Sequence, residues 1–387
     1  MKRIYKIILR ELHLWSKRPI YLLGSIGVML ASAVFFLTFL GEGLPQKLPI
    51  GVVDLDNSST SRNFIEQLDA TQLGQVEGFA NIPEARRQME TGRICAYVII
   101  PEHFDEDVQA FHCPKMGVYV NAMNPVIGGA LSYKDILFMV NLTNGAVQRQ
   151  VLRAKGVNED EIMARIQPVT LDAHNIGNAP TSYAYYLGNM ILIGILAMSI
   201  LLVVSYSLAS ELKYGTSKDL LALADDSIDI TITGKLIPYT LLFTALGVMV
   251  QLLLFGPLHF PLKGSIWAMV LATLLLVMAY EAIAVFVVSM VPTLRLAVCI
   301  SALYSVLGFS LAGFTLPIES LPVALQGVSW LYPLRFYYKF YVQEAIFGMG
   351  FAGWWTSCVS MLVFLLIPFV GRKRLYDAYK YQLYPRN

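Results

Sequence analysis

Long apolar runs alternate with polar segments along the chain, and these runs are long enough to cross a bilayer as helices. A membrane-spanning helix needs about 20 apolar residues. In chain order, runs of this kind predict spans at 20–40, 183–209, 236–256, 266–291, 296–316 and 354–370. The first run continues past the small residues at 30–33 to Leu40. It is too long for the apolar core of a signal peptide, so it predicts an uncleaved anchor.

The segment 41–182, between the first two spans, has a different pattern, in which short β-prone runs alternate with amphipathic helical runs. Alternation of strands and helices indicates an α/β domain, here on the extracytoplasmic side. The predicted strands are 48–56, 75–80, 94–101 and 115–121. The predicted helices are 58–70, 82–92, 102–111 and 127–155, followed by an extended return towards the membrane at 166–178.

Residues 317–345 are rich in Leu, Tyr and Trp, but prolines interrupt the run too often for a spanning helix. Irregular backbone at membrane depth has to pack on protein or line a cavity. The segment therefore predicts two short re-entrant helices on the outer side, which form a gate, an aromatic anchor at the interface, or both. The gate candidates are Pro317, Glu319, Pro322 and Pro333, and the anchor candidates are Trp330, Tyr332, Phe336, Tyr337 and Tyr338.

Lys and Arg flank the first span on its N-terminal side and the last span on its C-terminal side. Such residues mark cytoplasmic flanks, so both termini, including the tail 371–387, are predicted to be cytoplasmic in a bacterial inner membrane. Residues 1–19 predict an amphipathic helix in the membrane interface, with an ordinary charged flank as the alternative. The residues that alternate with Lys and Arg at helical spacing are Ile4, Ile7, Ile8, Glu11, Leu12 and Trp15.

Composition supports a membrane protein, because 56% of the 387 residues are hydrophobic and only 14% are charged. Soluble domains carry about a quarter charged residues. The net charge of +2, without a basic stretch that contains aromatics, argues against nucleic acid as a partner. Cysteines and histidines have no metal-binding or catalytic spacing, so neither a metal site nor an enzyme is predicted. Cys95 and Cys113 are either a disulfide or two free thiols.

Two polar side chains lie inside predicted spans and are candidates for a transport pathway. An ionisable residue within the membrane suggests function, because an unpaired charge there is unfavourable. Four roles are open for Glu281. It contacts a cationic substrate, it pairs with Arg295, it hydrogen-bonds across a dimer, or it is protonated and has a structural role. Gln251 is the weaker candidate.

The segment 210–235 is a polar island between two spans on the cytoplasmic side. Gly215 predicts a bend, after which an amphipathic helix starts with Leu220, Leu221 and Leu223 on its apolar face. Helices that dock in a groove use anchors of this kind. The alternative is a solvated connector.

This island resembles the corresponding loop in the permease subunits of ABC-2-type exporters, in the branch with a large extracytoplasmic domain after the first span. The family pattern is Glu-(Lys/Arg)-x-x-Gly-Thr, an apolar helix, and Gly-Lys before the third span. Here the basic residue is displaced by one position, and "ADDSID" replaces a proline-containing turn. The matching positions are Glu211, Lys213, Gly215, Thr216, Leu220, Gly234 and Lys235.

Two further stretches carry the resemblance, which covers nearly the whole chain. "IGVVDLDNSSTSR" (50–62) is similar to the first extracytoplasmic strand and turn of the family. Residues 313–339 are similar to the family segment before the last span, with its prolines and Glu319 in place. The implied fold is a polytopic α-helical membrane protein with six transmembrane helices and an α/β extracytoplasmic domain.

The resemblance implies a permease that exports a hydrophobic or amphiphilic, drug-like or lipid-like substrate, with ATP and Mg²⁺ bound by a partner ABC ATPase. Gly234-Lys235 is followed by Leu236, so it is not a phosphate-binding loop. Further implied partners are a second permease copy or related permease, membrane lipid and, in a Gram-negative host, a periplasmic adaptor and an outer-membrane channel. The implied coupling residues are Glu211, Lys213, Gly215, Thr216, Lys218, Leu220, Leu221, Gly234 and Lys235.

Two other classes of protein compete with a permease. One is a membrane-anchored sensor or interaction protein whose α/β domain binds a ligand; such a protein usually has a larger cytoplasmic output domain. The other is a membrane-embedded enzyme, which needs clustered His, Asp or Ser within the spans. The sequence lacks both features.

Overall fold

The computed structural model describes residues 2–39, 47–72, 74–110, 112, 114–121, 132–167, 177 and 182–384. The chain divides into two compact units, which are treated separately below. The helical unit consists of Met1–Gly43 and Asn175–Asn387. The α/β unit consists of Leu44–His174. Cys113 and most of the predicted return segment 166–178 lie outside the described residues.

The elements are numbered in chain order. The helices are α1 (Lys2–Lys17), α2 (Pro19–Leu22), α3 (Val28–Phe39), α4 (Ser59–Asp69), α5 (Ile82–Glu90), α6 (Phe104–Gln109), α7 (Tyr133–Ala154), α8 (Glu159–Ile166), α9 (Tyr183–Lys213), α10 (Ser217–Leu223), α11 (Ile228–Phe255), α12 (Ile266–Met290), α13 (Leu294–Ser310), α14 (Val323–Ser329), α15 (Pro333–Tyr341), α16 (Phe351–Phe364) and α17 (Ile367–Tyr381). The strands are β1 (Leu48–Asp54), β2 (Gly74–Gly78), β3 (Ala96–Ile100) and β4 (Gly117–Val120).

The α/β unit contains a four-stranded sheet in the order β2-β1-β3-β4. β1 is parallel to both neighbours, and β4 is antiparallel to β3. Val52 packs with Phe64 of α4 in one core, while Val53 packs with Ala85 of α5 in another. Successive side chains of a strand point to opposite faces, so the helices cover both faces of β1. Strands and helices therefore alternate here as the sequence pattern predicts.

Within the described residues, five helical stretches of the helical unit are long and apolar enough to cross a membrane. They are Ile20–Phe39, Leu187–Lys213, Ile228–Phe255, Ile266–Met290 and Phe351–Tyr381. The fifth predicted span, 296–316, is not among these five stretches, and it corresponds to α13, which has 17 residues. At a rise of 1.5 Å per residue, such a helix is about 25 Å long, a little shorter than the hydrocarbon core.

α13 ends before the apolar run does, because the backbone turns there. Its C-cap is Leu311, and Gly313 follows with φ +97°. Glycine adopts a positive φ without strain, whereas other residue types adopt it much less often. The apolar pattern therefore continues to 316 while the helix does not. Six crossings remain a prediction.

Two helices extend beyond the predicted spans into polar sequence. α11 starts at Ile228 rather than 236, so Gly234 and Lys235 lie within the helix. Its first turn is stabilised by Ser227, whose backbone oxygen accepts the Thr231 hydroxyl at 2.8 Å. The last stretch continues through α17 to Tyr381 rather than 370. The connection between α9 and α11 is therefore shorter than the predicted 210–235.

Candidate functional site

α9 ends in a turn that only a few residue types can form. The amide of Thr216 donates to the Glu211 carbonyl at 3.0 Å, and that of Gly215 donates to Leu212 at 3.4 Å. These two bonds define a Schellman motif, which needs a residue with positive φ after the helix. Gly215 supplies it with φ +75°. The turn directs the chain into the short helix α10.

A buried ionic cluster lies beside this turn, and we define it as Arg10, Glu11, Glu211 and Lys235. The Lys235 ammonium lies 2.6 Å from Glu11 Oε1 and 2.9 Å from Glu211 Oε1. These three side chains are at most 2% exposed. The cluster thus joins α1, α9 and α11 inside the protein. Buried charges require such partners, because leaving one charge unpaired is strongly destabilising.

Arg10 completes the cluster and balances its charge. Its two terminal nitrogens donate to the two oxygens of Glu211, both at 2.8 Å. This bidentate geometry is the strongest form of an Arg–carboxylate contact. Burial lowers the pKa of Arg10, but the hydrogen bond and charge of Glu211 outweigh burial and raise the pKa above its ordinary value. Glu211 also accepts the Thr216 hydroxyl.

Neutral groups extend the cluster to the C-terminal helix. The Tyr239 hydroxyl donates to Ser207 Oγ at 2.9 Å and lies 3.3 Å from Glu11 Oε2. The Tyr379 hydroxyl donates to the Leu208 carbonyl at 2.9 Å. The Tyr379 carbonyl accepts the hydroxyl of Ser217, the first residue of α10, at 3.0 Å. α10 is therefore fixed to α17, which is itself fixed to α9.

Gly234 allows α1 to approach α11 closely. A Cβ atom at position 234 would lie 3.0 Å from Cβ of Ile7 and 3.2 Å from its Cδ1. Ile7 is fully buried at this contact. One turn later on the same helix, Glu11 reaches Lys235. The Gly-Lys pair thus has two structural roles. Gly234 leaves room for α1, and Lys235 binds the carboxylate of Glu11 on that helix.

The structure separates the predicted docking residues into a buried and an exposed set. Leu220 and Leu221 are 0% and 2% exposed and pack in the core of the helical unit. They attach α10 to its own protein and are not available to a partner. The exposed residues of α10 are Lys218, Asp219, Ala222 and Leu223, and Lys213 and Gly215 of the preceding turn are also exposed.

The two transport-pathway candidates lie at different places. Glu281 Oε2 accepts the Thr240 hydroxyl at 2.7 Å. The alternative pairing with Arg295 does not occur, because that side chain is exposed and Glu281 makes no ion pair with any described residue. The Gln251 amide donates to the Tyr337 hydroxyl at 3.1 Å and the Met269 carbonyl at 3.2 Å. Gln251 therefore joins α11 to α12 and α15.

The gate candidates lie on or beside three different short elements. Pro317 and Pro322 precede a short 3₁₀ turn and α14, and Pro333 is the first residue of α15. Glu319 is exposed, whereas Pro333 is buried. α14 and α15 are linked by Arg335, whose guanidinium donates to the Gln326 carbonyl at 3.2 Å. Two short helices are thus present in the segment, and a gate remains a prediction.

Sequence reasoning did not identify Arg10, Glu11 and Tyr239 as site residues. One signal was available for Glu11, which shares the apolar spacing of α1 with Ile7. A carboxylate on an apolar face needs a buried partner. Nothing in the linear pattern indicates that this partner is Lys235. No group of three or more His, Cys, Asp or Glu side chains suited to a metal occurs in the part of the chain that the structure describes.

Comparison with known proteins covers most of the chain. The sequence model of a family described as "ABC-2 family transporter protein" matches residues 19–371. The chain is also 23% identical over 317 residues to "Inner membrane transport permease YhhJ" of Escherichia coli (strain K12), with 81% of each chain covered. The protein of that name from Shigella flexneri matches with the same identity and coverage.

Proposed function

The chain belongs to the ABC-2 family transporter proteins, and from this premise we propose that it is the permease subunit of an ATP-driven exporter. Family membership and several apolar helices make it a multi-pass membrane protein of the transport permease type. We propose further that it lies in a bacterial inner membrane with both termini in the cytoplasm. The name of its relatives, inner membrane transport permease, supports this placement.

The observation that carries the coupling proposal is the attachment of α10 to several spans at once. α10 packs through Leu220 and Leu221, bonds to Tyr379 through Ser217, and follows a turn whose Glu211 belongs to the ionic cluster. A force on the exposed face of α10 would therefore act on α9, α11 and α17 together. We assign α10 as the coupling helix, and its exposed Lys218 and Leu223 as contacts to the ATPase.

The nucleotide site belongs to the partner in this proposal. The Lys235 ammonium is buried within α11 and is bound by two carboxylates. A phosphate-binding lysine has to face a nucleotide from a glycine-rich loop. ATP and Mg²⁺ would accordingly bind to a separate ABC ATPase, which closes on α10 during its cycle. The helical unit would pair with a second copy or a related permease, and an adaptor and outer channel would continue the path in a Gram-negative host.

Affinity purification in mild detergent tests this proposal. The tagged chain should retain a near-stoichiometric ATPase, identified by mass spectrometry. The double variant Lys218→Glu, Leu223→Asp should lose most of it, because both changes lie on the exposed face of α10. Lys373→Glu is the matched control, since it reverses an exposed charge on α17. Retention of the ATPase by the double variant would exclude α10 as the contact.

A ligand sensor is the second candidate function, and one observation favours it. The α/β unit contains a cavity of about 620 Å³ whose mainly apolar lining includes Phe104, Met116 and Ile136. This volume suits a small organic ligand. Absence of any ATPase, even after cross-linking in membranes, would favour this function over export.

A further inference from the structure

A cavity lies in the helical unit, and none of the four residues of the ionic cluster lines it. It has a volume of about 440 Å³ and is formed by α11, α12, the start of α17 and Leu365, which lies between α16 and α17. Most of its lining is apolar, including Leu236, Leu241, Met278 and Pro368. Pockets for small molecules have about 300–1,000 Å³ and combine an apolar lining with a few polar groups. The cavity therefore has the size and lining of a ligand site.

The ionisable group in the lining is the carboxyl of Glu281, which is 3% exposed. Its Oε2 accepts one hydrogen bond from Thr240, which also lines the cavity. Its Oε1 is buried and has no hydrogen-bond partner among the residues that the structure describes. A buried carboxyl oxygen that lacks a partner is unfavourable, because it has lost its hydrogen bonds to water and gained none in return. Such a group in a membrane helix usually marks a functional position.

We propose that this cavity binds an amphiphilic amine, with Glu281 as the counterion of its ammonium group. The ammonium would supply both the charge and the donors that Oε1 lacks. The carboxyl torsion of Glu is broad, so that either oxygen can turn to the ligand. An alcohol would donate one hydrogen bond to Oε1 but would not neutralise the charge of the Glu281 carboxylate. The same carboxylate would repel an anion. The apolar body of the amine would contact Leu236 and Met278.

The assignment of this amine as a transported substrate rests on the proposed function, whereas its binding does not. A binding assay on the permease alone therefore separates the two. The probe is radiolabelled 1-adamantylamine, which has a compact apolar body and one primary ammonium. 1-Adamantanol is its neutral isostere. Equilibrium binding is measured to the full chain in nanodiscs, with empty nanodiscs subtracted.

Wild-type protein should bind the amine at least tenfold more tightly than the alcohol, and Glu281→Gln should remove this preference. Glu344→Gln is the matched control, because Glu344 is also a 3% exposed carboxyl but does not line this cavity. Ala282→Leu, which fills the cavity from α12, should weaken binding of both compounds. This second variant tests the site if Glu281→Gln does not fold.

Four results would overturn the proposal. Equal binding of amine and alcohol would show that the cavity accepts apolar molecules or lipid tails without recognising charge. An unchanged preference in Glu281→Gln would place the amine elsewhere, as would unchanged binding in Ala282→Leu. Failure of the wild-type protein to bind above empty nanodiscs would remove the site altogether. A retained ATPase with any of these results would leave the coupling proposal intact.

Discussion

Lys235 Nζ lies 2.6 Å from Glu11 Oε1, although 224 positions separate the two residues in the chain. The same ammonium contacts Glu211 at 2.9 Å. The N-terminal helix is therefore part of the structure that holds the polar connection between α9 and α11. The two stretches that carry the family resemblance, 211–216 and 234–235, are therefore in direct contact in the folded protein through Glu211 and Lys235.

Lys235→Met should destabilise the helical unit, because it leaves Glu11 and Glu211 buried without their shared cation. Removal of one partner from a buried ion pair typically lowers the free energy of unfolding by about 3–5 kcal/mol. Thermal unfolding in detergent, followed by size-exclusion chromatography, measures the change. Lys373→Met on the exposed side of α17 is the control and should leave the Tm unchanged. A Tm equal to that of wild type would contradict a structural role for the cluster.

The double variant Glu11→Gln, Lys235→Met should recover part of the stability that Lys235→Met loses. Coupling between two contacting residues appears as non-additivity of about 0.5–3 kcal/mol. The pair of single variants and the double variant form a complete cycle under the same unfolding assay. Strict additivity would show that Glu11 and Lys235 do not interact in solution.

Gly234→Ala should loosen α1, because the new Cβ would lie 3.0 Å from Cβ of Ile7. Overpacking of this kind costs about 1–3 kcal/mol. Limited proteolysis of the N-terminal segment should therefore be faster in this variant. Ile7→Ala in the same chain keeps Cβ but removes Cγ2 and Cδ1, which would lie 3.1 Å and 3.2 Å from the new Cβ, and should restore part of the protection. No rescue would mean that α1 does not pack on Gly234.

Gly215→Val should uncouple ATP hydrolysis from transport in the reconstituted complex. Its φ of +75° is unfavourable for a side chain by about 1–2 kcal/mol, and β-branched residues tolerate it least. Displacement of the turn would move α10 relative to α9. Gly215→Asn is the matched control, because asparagine also serves at this helix-ending position. Equal transport per ATP in both variants would argue against the turn as a coupling element.

Leu220→Asp and Leu223→Asp should differ in kind, because the first side chain is 0% exposed and the second is 37% exposed. Leu220→Asp buries a charge in the helical unit and should prevent recovery of folded protein. Leu223→Asp should fold normally and weaken binding of the ATPase at least tenfold. Monodispersity and a quantitative pull-down distinguish the two effects. A normal pull-down with Leu223→Asp would place the contact on other residues of α10.

Several features follow from the sequence alone, because they depend on residues that are close together in the chain. The alternation of strands and helices in the α/β unit, the apolar helices, and the turn at Gly215 arise from local hydropathy and backbone preference. The family resemblance at 211–216 and 234–235 has the same origin. Each can be recognised without knowledge of what packs against it.

Tertiary structure alone determined which polar groups meet and which apolar ones are covered. Glu11 finds Lys235 because Gly234 admits α1, while Leu220 is buried because α10 lies against its own unit. Arg295 is exposed, and Glu281 has no ionic partner in the part of the chain that the structure describes. These outcomes depend on the packing of helices that are far apart in the chain. Hydropathy, which is a sum over sequence neighbours, contains no information about such distances.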